Sequence, residues 1–117
     1  MSSKEDHLWQ ADHNESLYSQ LFATEFLDWA VTGIFYSGLH YVDAYLATKD
    51  IHPSTHAVRT PLVESESNLR RIYAQYRRLK DKSEAARYRV KHFTQTEVER
   101  LKENEFEIVK SHISSYL

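Results

Sequence analysis

The sequence predicts an all-α fold, an up-and-down bundle of four or five helices in a single domain spanning residues 1–117. Three observations lead to this prediction. Only two glycines and two prolines interrupt the chain, apolar residues recur at helical spacings of three and four, and 15 aromatic residues provide large packing units. Cysteine is absent, which excludes disulfides, thiolate nucleophiles and cysteine-bound zinc.

The beginning of the chain lacks the basic and then apolar order of a signal peptide. No apolar run reaches the roughly 20 residues that a membrane span requires. Together with the absence of cysteine, this pattern predicts a cytoplasmic protein that has no membrane partner.

Two helices are predicted in the first half of the chain, over residues 4–22 and 25–48. The second is apolar around most of its circumference, which predicts burial against several neighbours. It contains both glycines, Gly33 and Gly38, and each should cost about 0.8 to 1 kcal/mol relative to alanine. Close approach of another helix or of a ligand would compensate, and helix packing is the favoured explanation.

Two further helices are predicted in the second half. Pro53 biases His52 away from helical geometry, and residues 51–65 are predicted to be a connection with about one turn of helix. A third helix is predicted over residues 66–88 from its apolar stripe. The fourth begins at a capping box, in which Thr94 is the N-cap and Glu97 is the reciprocal partner.

Charge is distributed unevenly along the chain. Residues 1–28 carry six acidic side chains and one basic one, whereas residues 70–91 carry nine basic side chains and two acidic ones. A basic row of this kind can follow phosphates and would make binding depend on salt concentration. The alternative is a solvated face that pairs with the acidic segment or with a second subunit. The candidate nucleic-acid contacts are Arg71, Arg78, Lys82, Arg89 and Lys91.

A polar set runs from the middle of the second helix into the connection, and consists of His40, Asp43, His52, His56 and Arg59. The four-residue spacing of His52 and His56 would place two imidazoles on one helical face, with Asp43 or His40 completing a metal site. The other interpretation is structural, with these residues satisfying loop backbone groups and pairing with Asp43. His40 is expected to be a hydrogen-bonded core residue.

Arg87 and His92 are separated by four residues at the junction of the third and fourth helices. Two such side chains can converge on one phosphodiester, where the arginine stabilises charge on phosphorus and the histidine transfers a proton. This chemistry would cleave RNA without a metal. The alternative is a basic helix end that complements the helix dipole.

The order of small and aromatic residues in 30–47 resembles the second helix of HEPN domains, helical domains named for higher eukaryotes and prokaryotes nucleotide-binding. The resemblance covers roughly residues 24–116, and residues 1–23 match only as a generic first helix. Further similar positions are Ser54-Thr55-His56 with Arg59, Tyr73, Tyr76 and Leu79, Arg87-Tyr88, Phe93-Thr94 and Glu97-Val98-Glu99.

The resemblance implies a helical bundle that is frequently a homodimer and is often encoded beside a small nucleotidyltransferase. Many members are metal-independent endoribonucleases of toxin–antitoxin or antiviral systems that use an arginine, four to six residues, and a histidine. Arg87 and His92 fit this spacing, but Tyr88 stands where active members usually have a polar residue.

We therefore expect a nucleotide- or RNA-associated binding or partner module, with a nucleotidyltransferase or antitoxin as its partner and no cofactor. The first alternative is an endoribonuclease that uses Arg87 and His92. The second is a metal-binding bundle that uses His52 and His56. The sequence leaves open whether the protein is an enzyme.

Overall fold

The computed structural model describes all 117 residues and contains helices and no strands, which confirms the all-α fold class. A 3₁₀ turn at Arg70–Ile72 precedes the fourth helix, and a π-helical segment at Lys102–Phe106 joins the last two without a break. The helices are α1 (Lys4–Leu21), α2 (Leu27–Ala47), α3 (His56–Ser65), α4 (Tyr73–Tyr88), α5 (Gln95–Leu101) and α6 (Glu107–Ser114).

Helix α2 is the centre of the bundle. It packs against α1 along one side and against α4, α5 and α6 on the others, and its residues Ile34, Phe35 and Val42 are fully buried. This arrangement explains the apolar circumference of α2, because a helix surrounded by neighbours has no face left for polar residues. None of the helices combines the length and the apolar character that crossing a bilayer requires.

Helix α1 approaches α2 most closely at the small residues of α2. A Cβ added to Gly33 would lie 3.1 Å from the backbone oxygen of Asn14, and the Ser37 hydroxyl donates a 2.7 Å hydrogen bond to the backbone oxygen of Ala11. Close helix packing is therefore the reason for glycine at position 33. Gly38 is different, because a Cβ there would make only ordinary contacts, the nearest 3.5 Å from Leu79.

Two predicted boundaries are wrong. Residues 56–65 form the ten-residue helix α3 instead of a connection with one turn, even though Pro61 lies inside it. The Thr55 hydroxyl caps α3 by accepting a hydrogen bond from the Val58 backbone N–H, and the buried Arg59 and Val63 anchor it to the bundle. The third predicted helix begins at Tyr73 instead of residue 66, since the preceding segment forms a turn and a 3₁₀ helix.

Candidate functional site

The α4–α5 loop, residues 89–94, lies between two cavities that share Phe93. The first cavity, about 370 Å³ in volume, is lined by Arg78, Lys82 and Arg100 as well as by the start of α5. The second, about 310 Å³ in volume, is lined by the loop itself and by the beginning of α2. Phe93 thus lines two cavities whose walls carry cationic and acidic side chains, the acidic ones being Glu97 and Glu105 in the first and Glu25 and Asp28 in the second.

The predicted basic row is divided by ion pairs. Arg78 pairs with the buried carboxylate of Glu105 at 3.2 Å, and Lys91 pairs with Glu97 at 3.1 Å. The other three cations that line the two cavities have no ion-pair partner. These unpaired cations are Lys82, Arg89 and Arg100.

The cations at the two cavities differ in two positions from the nucleic-acid contacts predicted from the sequence. Arg71 is exposed in the 3₁₀ turn before α4 and lines neither of the two cavities. Arg100, which was not among the predicted contacts, lies at the first cavity with Lys82. No sequence pattern indicated Arg100, because it lies on a different helix from the basic row and meets that row only in the folded chain.

Arg87 is held against the aromatic side of α2. Its guanidinium lies 5.2 Å from the centre of the Tyr36 ring and 5.0 Å from that of Tyr88, and it donates hydrogen bonds to the Tyr36 hydroxyl and to the backbone oxygen of Ser83. Such cation–π contacts position a guanidinium without neutralising its charge. Arg87 has no carboxylate partner, so its positive charge stays available to an anion.

His92 is exposed in the loop and lines the second cavity with Arg89 and Lys91. Arg87 does not line that cavity. The structure therefore places both predicted catalytic residues at the same end of α4 but does not bring their side chains into one cavity within the chain.

Several large apolar side chains are exposed near the residues that line the second cavity. Tyr88 and Val90 flank the loop residue Arg89 and are highly exposed. Leu27 and Asp28 at the beginning of α2 line the second cavity, and the neighbouring rings of Phe26, which precedes α2, and Trp29 are exposed. Exposed aromatic side chains are frequent at interaction surfaces.

The predicted polar set is centred on a buried ion pair between α2 and α3. Arg59 and Asp43 are 6% and 5% exposed, and the guanidinium donates two hydrogen bonds to the carboxylate, at 2.7 Å from Nε and at 2.9 Å from Nη2. Arg59 also donates to the backbone oxygen of Pro53 at 3.1 Å. This geometry supports the structural interpretation, because the pair holds the α2–α3 connection against α2.

His40 lies beside His7, a residue that no sequence pattern indicated. Its Nδ1 is 3.0 Å from Nδ1 of His7 in α1, and the two rings are stacked with their centres 5.2 Å apart. Burial lowers the pKa of both imidazoles, so neutral rings are favoured. His7 carries no motif and is 33 residues away along the chain, so the sequence contained no signal for this contact.

The predicted pairing of His52 and His56 on one helical face does not occur. Helix α3 begins at His56, and His52 precedes Pro53 outside the helix, with its Nε2 3.1 Å from the Asp50 carboxylate. The His56 ring packs on Phe35 at 5.9 Å, and its buried Nδ1 has no hydrogen-bond partner. The two imidazoles therefore belong to different environments.

A family model described as the HEPN domain matches residues 5–113. No curated protein and no solved structure matches the chain. The match spans nearly the whole sequence, and the all-α bundle is the architecture that the resemblance implied. The chain therefore belongs to the HEPN domain family, whose members are modules of the nucleotide-associated and ribonuclease type.

Proposed function

We propose that this HEPN domain binds nucleotides or RNA through the α4–α5 loop and acts as a partner module. The proposed protein partner is a nucleotidyltransferase or an antitoxin, in line with the family. The observation that carries the proposal is the position of Phe93 between two cavities whose walls include the unpaired cations Lys82, Arg89 and Arg100.

These groups match the chemistry of a nucleotide. Stacking of a base on an aromatic side chain contributes about 1 to 3 kcal/mol. The half-buried ring of Phe93 packs partly against the core and lies under Lys91 at 5.2 Å, so a base would stack on the part of the ring that lines the cavities. Lys82 and Arg100 would contact phosphate. The first cavity, about 370 Å³ in volume, falls within the size range of small-ligand sites.

Fluorescence polarisation with a labelled single-stranded RNA tests this proposal. We expect Lys82→Ala and Arg100→Ala each to weaken binding and to reduce the slope of log affinity against log salt by about one. Phe93→Leu should weaken binding with little change in that slope, because it removes stacking and no charge. The matched control is Arg77→Ala, which removes a cation on α4 that already pairs with Asp81.

Equal affinities of Lys82→Ala, Arg100→Ala and the Arg77→Ala control would show that RNA does not bind at this loop. Absence of binding at low salt to both RNA and free nucleotides would remove the proposal altogether, since electrostatic contacts are strongest under that condition.

The second candidate function is metal-independent RNA cleavage by Arg87 and His92, and the exposed apolar side chains near the second cavity favour it. A second copy that packs on Phe26 and Trp29 would form a homodimer in which two Arg87–His92 pairs face one basic cleft. Arg89 and Lys91 would then position the phosphate. A dimer would supply the convergence of the two side chains that one chain lacks.

Incubation with structured and single-stranded RNA in EDTA tests this candidate. We expect cleavage to be lost in Arg87→Ala and in His92→Ala and to persist in Arg77→Ala. Trp29→Glu should abolish both cleavage and the dimer measured by analytical ultracentrifugation. If the wild-type protein fails to cleave RNA at high concentration, or if both active-site variants remain active, the enzyme candidate is wrong and the binding module stands alone.

A further inference from the structure

A second polar site lies between α1 and α2, in a part of the sequence far from the α4–α5 loop. His7, His40 and Asp43 each present a ligand atom, and these atoms all lie within 4.8 Å of one another. Their side chains adjoin two cavities of about 250 and 140 Å³, of which the first is lined by His7 and His40 and the second by His7 and Asp43. The cluster is therefore open to small solutes.

We propose that His7, His40 and Asp43 bind a divalent first-row transition metal ion, such as zinc or cobalt, which links α1 to α2. Two imidazoles and one carboxylate form a donor set that suits these ions, whereas magnesium and calcium prefer oxygen ligands alone. Three protein ligands leave a further position for water or for His52, which lines the smaller cavity.

The distances require only a small adjustment for the two imidazoles. Zinc–nitrogen bonds of about 2.0 to 2.1 Å in tetrahedral geometry place two ligand nitrogens about 3.3 Å apart. The Nδ1 atoms of His7 and His40 are 3.0 Å apart, so they need to separate by a few tenths of an ångström. The carboxylate of Asp43 is held by Arg59, so the two histidine side chains must close the remaining gap to it.

The protonation states also suit a metal. Without an ion, two neutral imidazoles that face each other through Nδ1 require one of these atoms to donate and the other to accept. A metal ion would accept an electron pair from each Nδ1, and the proton on the donating Nδ1 would move to Nε2 of the same ring.

Arg59 limits the affinity and orients the ligand. Arg59 donates one hydrogen bond to each Asp43 oxygen. Because a carboxylate has about four lone-pair positions, about two remain for an ion. Its hydrogen bonds fix the orientation of the carboxylate, as outer-shell partners of metal ligands commonly do. Its positive charge opposes the ion, and for that reason we expect micromolar affinity.

The test uses full-length protein purified without a metal-affinity tag and treated with EDTA. Titration with cobalt should give d–d absorption bands, and calorimetry with zinc should show one ion per chain. We expect His7→Gln and His40→Gln each to weaken binding by at least about tenfold. The matched control is His13→Gln, which removes an exposed imidazole of α1 that stacks on Trp9 and should bind as the wild type does.

Circular dichroism establishes that each variant is folded. If His40→Gln unfolds the protein, His7→Gln still carries the test, because His7 lies in the first turns of α1 and its loss leaves α2 intact. Zinc should also raise the thermal midpoint of the wild type and of His13→Gln but not of His7→Gln. The proposal is overturned if the wild type binds no cobalt at millimolar concentration, or if His7→Gln and His13→Gln bind zinc equally well.

Discussion

The two glycines of α2 provide a matched test of how closely α1 packs. In Gly38→Ala the new Cβ would lie 3.5 Å from Cδ1 of Leu79 and 3.9 Å from Cγ1 of Val109, which are ordinary van der Waals distances. The substitution also removes the unfavourable helix propensity of glycine. We therefore expect Gly38→Ala to raise the free energy of unfolding by about 0.8 to 1 kcal/mol.

Gly33→Ala gains the same propensity but meets the backbone of α1. Its Cβ would lie 3.1 Å from the Asn14 oxygen, so α1 must move outward by a few tenths of an ångström along its interface with α2. Overpacking of this kind costs about 1 to 3 kcal/mol. Because the propensity terms cancel between the two variants, Gly33→Ala should be less stable than Gly38→Ala by about 1 to 3 kcal/mol.

Urea denaturation followed by far-ultraviolet circular dichroism measures the difference. The slope of the unfolding free energy against urea concentration should be the same in both variants. Equal slopes would show that both variants expose the same surface area on unfolding. Equal stability of the two variants would refute the reasoning, because it would mean that α1 does not constrain position 33 of α2.

Three further predictions concern stability. Arg59→Ala leaves Asp43 buried without its partner and should lower the urea-derived unfolding free energy by about 3 to 5 kcal/mol. If the unfolding free energy falls by less than it does for a surface substitution, the pairing is contradicted. Thr94→Ala removes the N-cap of α5 and should cost about 1 kcal/mol in the same assay, whereas Thr96→Ala should cost less. Burial lowers the pKa of three histidines, so below about pH 6.5 the unfolded chain binds more protons than the folded one. The free energy of unfolding should therefore fall as the pH decreases from about 6.5 to the lowered pKa values. A urea midpoint that is constant between about pH 7.5 and about pH 5.5 would contradict this prediction. These histidines are His7, His40 and His56.

The features predicted correctly from the sequence are those that depend on local interactions. The capping box at α5 is present, with the Glu97 N–H donating to the Thr94 hydroxyl at 3.1 Å and the Thr94 N–H donating to the Glu97 carboxylate at 3.2 Å. The burial of α2 follows from its apolar circumference. Both patterns are complete within a few turns of one helix, so they can be recognised without knowing what the helix packs against.

The errors arose where packing outweighs local preference. Pro53 indicated a connection over residues 51–65, yet α3 forms three residues later because Arg59 reaches Asp43 and Val63 enters the core. The π-helical segment Lys102–Phe106 also had no local signal, and within it Phe106 is fully buried. A tertiary contact can stabilise a conformation that the segment would not adopt alone.

The amino-acid sequence by itself determined the all-α fold class, the buried central helix, the HEPN family and the location of the Arg87–His92 spacing at the junction before the last helices. Only the tertiary structure decided which of the basic residues remain unpaired and that His7 meets His40 and Asp43. The physical reason is that ion pairs and imidazole contacts form between helices distant in sequence, and their partners are set by how the helices pack rather than by spacing along the chain.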